Sequence, residues 1–153
     1  MRVKAGNVND TAAGSGAQEI TINGIDSTLA EVNASIATAG TSASSNFAGT
    51  WWRVHRAWVS ATGAYTGANT ADVVIEDSGA AADFLTITAD EGQSQYTGWT
   101  VPTGKTAYLL GATVSAGGAA GADVRVFTRR NFTDVTGPTY SAKRLKLFWP
   151  SIL

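Results

Sequence analysis

WWRVHRAWVS, residues 51–60, holds three of the chain's five tryptophans, two arginines and its only histidine. Aromatic and β-branched residues interleaved with polar ones predict a strong β-strand. Alternation puts Trp52, Val54, Arg56 and Trp58 on one face and Trp51, Arg53, His55 and Ala57 on the other. Both faces are bulky. A strand of that kind belongs inside a sandwich or against a neighbouring subunit.

The segments on either side read the same way. QEITIN (18–23) alternates and runs into NGID (23–26), an Asn-Gly hairpin signal. Between Thr28 and Thr38 the even positions Ala30, Val32, Ala34 and Ile36 form an apolar face, which predicts the second strand of a hairpin. Leu, Ala and Glu together leave a helix open over 28–37. Further strands are predicted at 71–77, 84–88, 94–101, 106–116, 122–130 and 143–149. The joins are small-residue turns, among them VPTGK (101–105), with Pro and Gly where a tight turn needs them. TAGTSASSNFAGT (38–50) reads as a low-complexity loop, and 131–142 as a long one. Residues 1–17 lack periodicity and read as an extended N-terminal arm.

About nine strands at this spacing, without a convincing helix, predict an all-β antiparallel sandwich or barrel. The expected organisation is the arm 1–17, one β-sandwich domain over 18–149, and a C-terminal docking segment over 143–153.

Apolar residues make up 44% of the 153 and charged residues only 15%, against roughly 25% in typical globular domains. Such a surface suits a protein largely covered by neighbours. The net charge of −1 gives no support to nucleic-acid binding. No apolar run reaches the ~20 residues that span a membrane, and no signal peptide is expected. Without cysteine, disulfides and thiolate metal sites are excluded, and one histidine excludes a multi-histidine zinc site.

The charges are segregated. Asp72, Glu76, Asp77, Asp83, Asp90 and Glu91 fall in 72–91, whereas Arg125, Arg129, Arg130, Lys143, Arg144 and Lys146 fall in 124–153. Either neighbouring strands pair opposite charges, or adjacent subunits present complementary faces.

Little in the chain points to catalysis. His55 is the one imidazole base, and no GxSxG elbow accompanies it. Glu76/Asp77 and Asp90/Glu91 are adjacent pairs at strand ends, and neighbouring strand residues point to opposite faces. The turn ADEGQ lacks a calcium-loop pattern, and GSGAQ and GGAAG lack the ending of a phosphate loop. No metal or cofactor is implied. The aromatics Trp51, Trp52, Trp58, Tyr65, Tyr96 and Trp99 suit core packing and subunit contact, with stacking on sugars or bases as the alternative. Tyr65, Trp99 and Tyr140 are the candidate glycan contacts.

Four blocks in order carry a resemblance. NDTAAGSGAQEITINGIDSTLAEV (9–32), WWRVHRAWVSATGAYTGANTADVVIED (51–77), EGQSQYTGWTVPTGKTAYL (91–109) and GADVRVFTRR (121–130) are similar to blocks of a group of tailed-phage virion proteins common in marine phages. His55 stands where that group often has Asn, and KRLKLFWPSIL is not clearly family-like. The resemblance implies a jelly-roll-like domain in a phage particle, as a homotrimer. It would serve as a non-enzymatic capsid decoration or cement protein contacting the major capsid protein, or else as a tail, head-fibre or spike component that binds a host-surface glycan. The expected interface residues are Trp51, Trp58, Arg125, Arg129, Arg144, Leu147, Phe148, Trp149 and Ile152.

Overall fold

The computed structural model describes residues 1–95, 98–112, 122–129 and 143–152. Every strand pairing among them is antiparallel, and none of these residues is helical. The chain divides into two compact units, Met1–Thr106 and Ala107–Leu153.

The first unit is a β-sandwich. One sheet holds β1 (Arg2–Ala5), β4 (Ala43–Asn46), β6 (Val73–Glu76) and β7 (Asp83–Ile87) in the order β4-β1-β6-β7. The other holds β2 (Ala17–Asp26), β3 (Glu31–Ala37) and β5 (Trp51–Thr62) in the order β3-β2-β5. The core lies between the inner faces. Val3, Ala5, Val73, Ile75, Leu85 and Ile87 come from the first sheet, Ala17, Ile20, Ile22 and Ala57 from the second, and Phe47 from the connection after β4. Stacking two one-sided sheets is how short alternating strands remove their apolar faces from water.

The N-terminal residues are no arm. β1 lies between β4 and β6, with Val3 opposite Ile75 and Ala5 opposite Val73. Val3 and Ala5 are buried, and Arg2 Nε donates to Glu76 Oε1 at 2.7 Å. Four residues are too few to show a period, so neither this strand nor β4 stands out in the sequence. The rest of 1–17 is tied down by Asp10, which is completely buried. Its carboxylate accepts the backbone N–H of Ala17 (2.8 Å), Thr70 (2.9 Å) and Ala71 (3.1 Å), and the Thr70 hydroxyl (2.8 Å). Gly16 makes this possible, since a Cβ there would stand 2.1 Å from Asp10 Oδ1.

The β2–β3 hairpin forms, but its turn is not at Asn-Gly. β2 continues to Asp26, which caps the turn: it accepts Thr28 N–H (2.8 Å), the Thr28 hydroxyl (2.7 Å) and Ala30 N–H (3.0 Å). The Thr28 hydroxyl, with the Ala30 amide next, holds the Asp26 carboxyl below its usual range. Gly24 answers a different need: a Cβ there would lie 2.0 Å from the Arg53 carbonyl oxygen of β5. β3 is a strand and not a helix, with Val32, Ala34 and Ile36 turned inward.

β5 departs from simple alternation. Asn23 opposes Arg56 and Gly24 opposes Val54, which leaves His55 as an extra residue. Trp52 and Ser60 are extra in the same way. Each β-bulge of this kind resets which face the next side chain takes. The core side is therefore Trp51, Val54, Ala57 and Val59, not every second residue.

The second unit holds a ribbon of β8 (Ala122–Arg129) and β9 (Lys143–Ile152). Val124 opposes Trp149, Val126 opposes Leu147 and Arg129 opposes Lys143. The register shifts between Ala122 and Val124, near Pro150, whose missing N–H suits a bulge. The predicted strand over 106–116 is not formed across 106–112; residues 113–116 lie outside the described residues. Nor is a strand formed in the described part of 94–101.

The charge pattern takes a form of its own. Acidic β6 and β7 belong to the four-stranded sheet and basic β8 and β9 to the ribbon, so the two stretches are not neighbouring strands of one sheet. Within the ribbon Arg129 is in register with Lys143. Most of the acids have local duties. Asp72 accepts Ala89 N–H (2.9 Å), Asp77 accepts Ala81 N–H (2.7 Å), and Glu91 accepts the Gln95 side-chain amide (3.2 Å).

Candidate functional site

After β7 the chain turns and lies along β5. The turn uses Asp90 at φ 65° and Gly92 at φ 67°. Asn69, fully buried, organises it: its amide nitrogen donates to the carbonyls of Ala71 (2.8 Å) and Thr88 (2.9 Å), and its oxygen accepts Gly92 N–H (3.1 Å). The segment is then stitched to β5. Val59 N–H donates to Gly92 O (2.9 Å), Ser94 N–H to Ala57 O (2.8 Å) and Ala57 N–H to Ser94 Oγ (3.0 Å). Further along, Thr100 N–H approaches His55 Nε2 at 3.4 Å and Thr103 N–H donates to Leu29 O at 3.1 Å. The result is a strap from the middle of β5 to the β2–β3 turn.

Trp99 sits on this strap and is 53% exposed. A hollow opens on each side of it. One, of about 520 Å³, is lined by Thr28, Leu29, Ala30, Pro102 and Lys105 among others. The other, of about 390 Å³, is lined by polar groups: Asn23, His55, Arg56, Gln93, Ser94 and Gln95.

His55 is buried, and its Nδ1 has no hydrogen-bond partner among the described residues. Burial, with the Arg53 charge second, pushes its pKa below the ordinary imidazole value, and Glu31 pulls the other way. A neutral imidazole follows at pH 7. Its Nε2 faces a backbone amide and not a Ser or Thr hydroxyl, so the arrangement lacks the nucleophile–base contact of a triad. Among the described residues no three His, Asp or Glu side chains converge as metal ligands.

The other singled-out residues are dispersed. Trp51 packs against the core and donates Nε1–H to Ala48 O at 2.9 Å. Trp58 is half-buried under Arg56, whose guanidinium carbon lies 5.2 Å from the ring centroid. Tyr65 is half-buried and not a free loop tip. Its hydroxyl donates to Asp90, and that bond is the main reason its pKa rises. Arg125 is exposed on β8. Arg129, Arg144, Leu147, Phe148, Trp149 and Ile152 hold paired positions in the ribbon. Tyr140 lies outside the described residues. Of the glycan candidates, Trp99 is the one on an open hollow.

Asp10, Asn69 and Ser94 went unnoticed in the sequence. The signal available was weak: each is a turn-forming residue among small or polar neighbours, and nothing local marks it as buried.

No protein-family model, curated protein or solved structure matches this chain. The assignment of class therefore stops at an all-β protein whose first unit is a sandwich.

Proposed function

We propose that the protein is a non-enzymatic structural component of a tailed-phage virion, a capsid decoration or cement protein that self-associates, as a homotrimer, and contacts the major capsid protein. The finer description of the sandwich as jelly-roll-like belongs to the same proposal. It is supported by sheet neighbours distant in sequence, such as β1 beside β6 and β2 beside β5.

One observation carries the reading. Tyr108, Leu109 and Leu110 are contiguous and 80%, 62% and 96% exposed. They lie in a segment of strand-like composition that enters no strand pairing among the described residues. An exposed cluster of this size marks an interaction surface. Burying each leucine is worth about 1.5–3 kcal/mol, less in total than association commonly costs. A lasting contact therefore needs backbone pairing as well. The ribbon of two strands has outer edges that can provide it. The four-block resemblance across 9–130 supplies the virion setting, and the low charge of the chain agrees with a covered surface.

The test is the mass in solution by light scattering. The parent chain is expected as an oligomer at tens of micromolar, and Leu110→Asp as a folded monomer. A monomeric parent overturns the reading.

A further inference from the structure

We propose that Trp99 and the polar hollow beside it form a saccharide site, which takes one pyranose ring with its C–H face on the indole. This goes beyond the assembly role and does not depend on it.

Residues on either side of Trp99 are bonded to the sheet, Ser94 to Ala57 and Thr103 to Leu29. A half-exposed indole offers a flat apolar platform. The hollow at its side, about 390 Å³, is of ligand-site size.

The polar lining has the donor and acceptor pattern that hydroxyls require. Each of three amides uses one end in the fold and leaves the other without a hydrogen bond among the described residues. Gln93 Oε1 accepts from Arg56, leaving Nε2. Gln95 Nε2 donates to Glu91, leaving Oε1. Asn23 Nδ2 donates to Asn33 (3.0 Å) and Glu31 (3.2 Å), leaving Oδ1. The free ends are one donor and two acceptors, already oriented by the bonds at the other end. A sugar hydroxyl donates and accepts at once, so a mixed set fits it better than a set of one kind.

His55 lines the same hollow, and its Nε2 faces the Thr100 N–H, so Nδ1 carries the proton. Among the described residues Arg56 lines this hollow and no carboxylate does, which favours neutral or acidic sugars over amino sugars.

The experiment is saturation-transfer NMR on the full chain in its native assembly. The probes are the methyl glycosides of glucose, galactose, mannose, N-acetylglucosamine and glucuronic acid. Transfer to ring C–H protons is expected for at least one, with a Kd on the order of 1 mM. Trp99→Ala should weaken it by at least about tenfold. Gln93→Ala and Gln95→Ala should each weaken it several-fold, and Tyr65→Phe should bind as the parent does. Trp99→Phe, which keeps a ring, should fall between. It decides the matter together with the two glutamine variants if the alanine variant unfolds. No transfer from any probe to the parent, or transfer that survives Trp99→Ala in a folded protein, overturns the proposal. Either result leaves the oligomeric mass, and so the assembly reading, untouched.

Discussion

Buried Asp10 has no ion pair among the described residues, and its carboxylate is held by N–H and O–H donors. Four of its five hydrogen bonds come from Thr70 and Ala71, 60 and 61 positions away. Removing the carboxylate leaves those donors buried and unpaired. Asp10→Ala is expected to cost about 3–5 kcal/mol, read as a fall of roughly 10 °C or more in Tm. His55 gives a second residue-level expectation. Its folded pKa lies below the unfolded value of 6.5. Between the two values the unfolded chain binds more protons, so stability rises with pH there. The contribution is complete above about 6.5 and is lost as pH falls toward the folded pKa. Urea titrations at pH 7.5 and 5.0 should show the loss, and His55→Gln should reduce that pH dependence. The sequence marked His55 as unusual because it is unique. It could not mark Asp10, because the groups that need this carboxylate are far along the chain.

At the scale of the element, β5 shows how far alternation carries. Although it stands at the end of its three-stranded sheet and not in the middle, the strand is legible from WWRVHRAWVS. The inward set is not, because the three extra residues Trp52, His55 and Ser60 each shift the phase. Bulges leave little local trace: their cause is the fit to β2, and Gly24 is the one visible mark of it. A methyl group at Gly24 would meet the Arg53 carbonyl at 2.0 Å, so the β2–β5 ladder would have to part locally. Gly24→Ala is expected to lower stability by about 2 kcal/mol, measured by urea denaturation. A neutral result would mean that the close approach at this bulge is relaxed in solution. β1 and β4 were missed for a simpler reason. Strands of four residues, RVKA and ASSN, are set by their neighbours, not by their own pattern.

For the whole molecule, the all-β antiparallel class was legible from strand spacing and turn residues, since both are local. The partition into sheets was not, because every pairing that builds the four-stranded sheet except β6–β7 joins segments far apart. Of the two readings of the segregated charges, pairing between neighbouring strands of one sheet gives way to two separate sheets, and Tyr108–Leu110 keep an apolar surface that composition could not place. The position of β1 has a bearing on synthesis. Arg2 and its partner Glu76 are 74 positions apart. At about 5–20 residues per second on the ribosome, the first strand waits roughly 4–15 s for its central neighbour to emerge. Until then β1 can pair with β4 alone, while β2 and β3 can already zip. A strand at the centre of the four-stranded sheet therefore gains its second neighbour only after the whole three-stranded sheet has been made.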